Sequence, residues 1–106
     1  MIAKHNLIHH VFFYLNNPGS EADTAALKKG LESLSTVKTI KTFHIGKPAA
    51  TRREVIDSNY ALSWWTLFET KEDQDSYQVD PIHLKFVEEC SHLWSKVIVY
   101  DTVNAD

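Results

Sequence analysis

A chain of 106 residues has room for one hydrophobic core and not for two. Its formal net charge of −3 lacks the basic excess of a nucleic-acid binder, and no stretch approaches the ~20 apolar residues of a membrane span, so neither partner is expected. The lone cysteine, Cys90, excludes an intrachain disulfide, and the opening Met1-Ile2-Ala3-Lys4-His5 lacks the pattern of a secretory signal; together they predict a reducing, cytoplasmic setting.

Residues 7–15, rich in aromatic and β-branched side chains, predict a first strand that stops at Asn16-Asn17-Pro18-Gly19. Ser20, with Asp23 three residues on, is a capping pattern that opens a helix to about Ser35. Leu27, Leu31 and Leu34 share one face of it; Gly30 inside it costs about 1 kcal/mol relative to alanine. Val37 to Ile45 alternates as a second strand, and a long polar connection over residues 46–59 carries Arg52, Arg53, Glu54 and Asp57. Tyr60 to Phe68 predicts a third strand around Trp64-Trp65. Thr70 and Asp73 cap a short helix to about Val79, which Pro81 breaks or restarts. Phe86, Val87, Cys90, Leu93 and Trp94 then form a helical apolar stripe, and Lys96 to Val103 is the last strand. The order strand, helix, strand, strand, helix, strand is that of an α+β, ferredoxin-like βαββαβ domain with a four-stranded antiparallel sheet, spanning residues 1–106.

Two helices cover one face of such a sheet, yet both strand parities here are apolar. On the first strand the even set is Ile8, His10, Phe12 and Tyr14, and the odd set includes Val11, Phe13 and Leu15. With the even set assigned to the helices, Val11 and Phe13 join Trp65, Leu67 and Val99 on the uncovered side. An aromatic side chain buries ~150–250 Å², and a patch of this size leaves about 10 kcal/mol of burial unused at roughly 25 cal/mol per Å². A second copy packed sheet to sheet is the simplest cover, which predicts a two-fold homodimer, a dimeric α/β barrel. The long loop is the alternative cover.

Three segments carry a resemblance over nearly the whole chain. They are His10-Val11-Phe12-Phe13-Tyr14-Leu15, a histidine leading a hydrophobic strand; Tyr60 through Phe68-Glu69; and Tyr77-Gln78-Val79-Asp80-Pro81-Ile82-His83-Leu84-Lys85-Phe86. The last, with tyrosine, proline and histidine at a helix start, is the most specific. The pattern resembles the stress-responsive A/B barrel (Dabb) family of dimeric α+β barrels. That resemblance implies a dimer and a mixed range of functions, from plant stress proteins to a plant polyketide cyclase. In the cyclase two histidines line a pocket between sheet and helices beside a tyrosine, which implies His10, His83 and Tyr77 here. A further pocket histidine of the cyclase falls at Leu62, a departure that points to a different ligand or none.

On this reading the pocket is lined by His10, Tyr77, His83, Phe12, Leu62, Trp64 and Phe86. His83 lies in the first turn of its helix, where the helix dipole disfavours protonation and keeps the imidazole fit to act as a general base. Tyr77 would then hold an enolate oxygen. His10 would contact a ligand carbonyl or, more blandly, bond a backbone carbonyl in the core. No cofactor motif is legible and no metal site is expected: Glu88 and His92 are four apart on the last helix but lack a third ligand. Three functions fit: a binder of a small aromatic or carbonyl compound, a cyclase-like lyase or cofactor-free monooxygenase, and a structural stress-response module.

Overall fold

The computed structural model describes residues 2–106. Strand β1 is Leu7–Leu15, helix α1 Glu21–Leu34, β2 Ile40–Gly46, β3 Leu62–Phe68, α2 Lys71–Val79, α3 Pro81–Cys90 and β4 Trp94–Thr102, with a short 3₁₀ turn at Ser91–Leu93. The strands form one four-stranded sheet in the order β2-β3-β1-β4, each neighbour antiparallel. This is the ferredoxin-like α+β fold expected from the strand and helix order.

Both capping patterns act as read. Ser20 Oγ accepts from the Asp23 N–H at 3.1 Å, and Thr70 Oγ1 accepts from the Asp73 N–H at 3.1 Å, each meeting a donor the helix cannot satisfy itself. Pro81 both breaks and restarts the helix. Its ring bars Asp80 from helical backbone, so α2 ends there, and Asp80 turns its carboxylate to the Ile82 N–H at 2.8 Å to cap α3. The predicted last helix therefore divides from the one before it at Asp80. It also ends earlier than its apolar stripe suggests, at Cys90, and Trp94 already belongs to β4. That break removes the helical i, i+4 relation between Glu88 and His92.

The core lies between the sheet and one helix layer. Leu27, Leu31 and Leu34 of α1 are buried there with Phe86 and Cys90 of α3 and Phe13, Trp64 and Phe68 of the sheet. Gly30 permits this packing, since a methyl group on it would meet Cys90 Sγ at 2.5 Å and the Phe86 ring at 3.2 Å. The helix-propensity cost of that glycine is offset by the close approach of α1 and α3.

One expectation is reversed on β1. The odd residues Leu7, His9, Val11, Phe13 and Leu15 are buried and the even ones only half so. In register, Val11 faces Trp64 and Val99, Phe13 faces Leu62 and Val97, and His10 faces Trp65 and Tyr100. Val11, Phe13 and Val99 thus lie beneath or beside the helices, not on the open face. His10 and Phe12 lie on the open face, not beneath the helices. The β3 assignment stands: Leu62 and Trp64 face the helices, Trp65 and Leu67 the open side. Both faces are apolar, as the periodicity indicated. The long loop covers one end of the open face, where Tyr60 packs edge-on against Phe12 at 5.0 Å and Asp57 accepts from the Tyr14 hydroxyl at 3.0 Å.

Gly30→Ala should destabilise the fold by about 1–3 kcal/mol despite alanine's better helix propensity, because it overpacks the α1–α3 contact. Urea denaturation measures this, and adding Cys90→Ala to the same chain should recover part of the loss.

Candidate functional site

The β1 pleat turns His9 toward the helices, where it is buried with 6% of its surface exposed. Asp101 stands directly opposite on β4, and its Oδ1 lies 2.5 Å from His9 Nδ1. A neutral imidazole that donates Nδ1–H to this carboxylate leaves the Nε2 lone pair free to accept. Tyr77, from the last turns of α2, packs edge-on to His9 with ring centroids 5.8 Å apart. His83, the third residue of α3, lies 4.7 Å from the Tyr77 ring on the other side of the Asp80–Pro81 break. Two imidazoles and a phenol therefore meet in one place.

They line a cavity of about 170 Å³ between sheet and helices, walled by Val11, Phe13, Trp64, Phe86, Val87 and Trp94 and opening toward Val97 and Val99 of β4. This is smaller than the ~300–1,000 Å³ of a drug-sized site. A wider groove of about 550 Å³ runs between the start of α1 and residues 58–61, but no histidine or aspartate lines it.

The electrostatics favour neutral groups. Tyr77 is 1% exposed, and burial drives its pKa well above the ordinary phenol value. Its oxygen accepts from Trp64 Nε1–H at 3.0 Å, which lowers the pKa somewhat and leaves the phenol proton free to donate. Burial also lowers the His83 pKa, more than any other cause, and nearby His9 adds to it; the Gln78 backbone and Asp80 act in the opposite sense. Among the described residues, the enclosed His83 Nδ1 has no hydrogen-bond partner. Desolvation is thus the largest of these influences on His83.

Of the residues expected here, the structure brings together Tyr77, His83, Trp64 and Phe86. Leu62 sits in the core on the same side of the sheet but does not line the cavity. His10 and Phe12 are on the far side, and His9 takes the place assigned to His10. His9 and Asp101 were missed, although a signal existed. The odd β1 residues other than His9 are wholly apolar, whereas the even set ends in Tyr14, whose hydroxyl needs a polar partner. Among the described residues, no group of three or more potential metal ligands converges, and no helix is long and apolar enough to cross a membrane.

The family model for the stress responsive A/B barrel domain matches residues 7–104. The chain belongs to that family. No curated protein matches it. Among solved structures, a Dabb family protein with a ferredoxin-like fold from Mesorhizobium loti is 18% identical, with 95% of this chain and 98% of that one covered and a TM-score of 0.79. The hydroxynitrile lyase of Passiflora edulis is 15% identical, with 98% and 97% covered and a TM-score of 0.81. A dimeric ferredoxin-like protein of unknown function from Thermobifida fusca is 12% identical, with 97% and 94% covered and a TM-score of 0.78. Two further neighbours are likewise described as dimeric. At these identities the similarity establishes the fold.

Because the folded chain holds His83 neutral where the unfolded chain would protonate it, the unfolded state binds more protons below the ordinary histidine pKa of about 6.5. Stability should therefore fall as the pH drops from about 7.5 to about 5. His83→Gln should make that fall shallower, as read by urea midpoints at the two pH values.

Proposed function

We propose that the protein is a cytoplasmic homodimer, joined through the open sheet faces, in which each subunit binds a small aromatic or carbonyl compound between sheet and helices. The observation that carries the pocket reading is the meeting of His9, Tyr77 and His83 on one apolar-walled cavity of about 170 Å³. The Tyr77 hydroxyl supplies a hydrogen bond to a carbonyl oxygen, and the two imidazoles supply acceptors for a hydroxyl or an acidic C–H. The apolar walls strengthen each of these bonds by excluding water. For the dimer, the support is the apolar open face, where Ile8, Phe12, Trp65 and Ile98 remain partly exposed, together with the dimeric neighbours of the same fold.

A second, enzymatic reading is favoured by the His9–Asp101 pair. A carboxylate bonded to Nδ1 fixes the tautomer and orientation of an imidazole, which suits proton transfer at Nε2. In this reading His83 or His9 removes a proton from carbon beside a carbonyl. The electron pair moves to the carbonyl oxygen, and Tyr77 stabilises the resulting enolate. This is chemistry of the cyclase-like lyase type, and a hydroxynitrile lyase shares the fold.

A ligand-observed NMR screen of small ketones, aldehydes and phenols tests both readings. Binders should lose affinity about tenfold or more in His83→Ala and in His9→Gln, the cost of one or two charge-free hydrogen bonds in a dry site. Hits indifferent to both substitutions, or no hits, would leave the structural-module reading. If any hit is turned over with His9 as the base, Asp101→Asn should lower kcat with little change in KM, because Asp101 orients His9 and does not line the cavity.

A further inference from the structure

The open face carries a feature that the pocket does not use. Across the sheet, His44 of β2 stands opposite Trp65 of β3, Trp65 opposite His10 of β1, and His10 opposite Tyr100 of β4. One cross-strand row thus holds two histidines and two aromatic rings. Uncharged rows flank it: Ile8 stands opposite Leu67 on one side, between Thr42 and Thr102, and Phe12 stands opposite Ile98 on the other, beside Ser63. The His10 ring also rests on Phe12, with centroids 4.3 Å apart. His44 is exposed and His10 half-buried in the single subunit.

The surroundings offer a charged imidazole little compensation. Tyr100 ends the row on β4. Further along the face Lys96 of β4 lies over the Tyr14 ring at 4.6 Å. From the loop come Tyr60 and Asp57, and the Asp57 carboxylate is already engaged by the Tyr14 hydroxyl at 3.0 Å and the Asn59 N–H at 2.8 Å. On β2 and its exit the neighbouring charges are Lys41, Lys47, Arg52, Arg53 and Glu54, all exposed. His9 lies on the opposite side of β1. Burial already lowers the His10 pKa, and His44 and His9 lower it further; no carboxylate figures among the causes.

We infer that assembly through this face is gated by protons: the homodimer forms while His10 and His44 are neutral and comes apart as they gain charge in mildly acidic conditions. This rests on the proposed sheet-to-sheet dimer. Two-fold symmetry brings the rows of both copies, four imidazoles, into one apolar interface. Burying an unpaired imidazolium there is costly, so the separated subunits bind more protons than the dimer. The sign follows from linkage: dimerisation is at full strength above the His10 pKa of the separated subunit, which already lies below the ordinary histidine value, and weakens as the pH falls through it.

Sedimentation velocity over a concentration series at about pH 7.5 and about pH 5 tests this, with far-UV circular dichroism to confirm folding at both. The dimer dissociation constant of the wild type should rise on the order of 50-fold or more between these conditions. In His10→Gln/His44→Gln, which keeps polar side chains of similar size but cannot titrate, it should change less than about threefold, while His9 and His83 remain to report any contribution from the pocket. A wild-type dimer of constant strength, or an undiminished response in the double variant, overturns the proton gate and leaves the dimer standing. A monomer at about pH 7.5 at all concentrations overturns the dimer and the gate together.

Discussion

A β-strand turns successive side chains to opposite faces, and in this protein that alternation governs both the pocket and the outer surface. β1 is held on both sides, by β3 and by β4, so its register is fixed by two ladders. A shift of one residue would exchange His9 for His10, and Val11 and Phe13 for Phe12 and Tyr14, across the entire sheet. The hydrophobic effect selects the observed phase. The odd side chains of β1 can be fully buried beneath the helices, whereas His10 and Tyr14 need some contact with water or with polar partners.

The cavity exists because the helix layer is interrupted and incomplete. The Asp80–Pro81 break divides what would be one long helix into two, and Tyr77 and His83 project from either side of that break onto the same stretch of β1. Val97 and Val99, on the edge strand β4, remain 39% and 45% exposed, and they form the opening. Burial in this setting keeps the tyrosine protonated and favours the neutral form of His83, while the carboxylate of Asp101 orients the neighbouring imidazole.

The two faces of β1 divide two sets of interactions between them. His9 turns inward to the pocket and His10 outward to the open face, and the His9 imidazole is one of the influences that lower the His10 pKa.

Strand and helix order, both helix caps, the helix break at Pro81 and the apolar character of both sheet faces could be read from the sequence, because each depends on neighbours a few residues apart. Ser20 with Asp23, Thr70 with Asp73, and Asp80 with Pro81 are local arrangements that need no distant partner. Tyr77 and His83 were legible for the same reason, flanking a proline within one short segment. The phase of β1 was not local: adjacent residues with similar apolarity are separated only by which face α1 and α3 cover. Nor was the His9–Asp101 contact, whose partners lie 92 positions apart in the chain. The amino-acid order therefore determined the elements and the chemistry available to them, and tertiary packing alone decided which histidine entered the pocket, because only there do strand register and helix coverage combine.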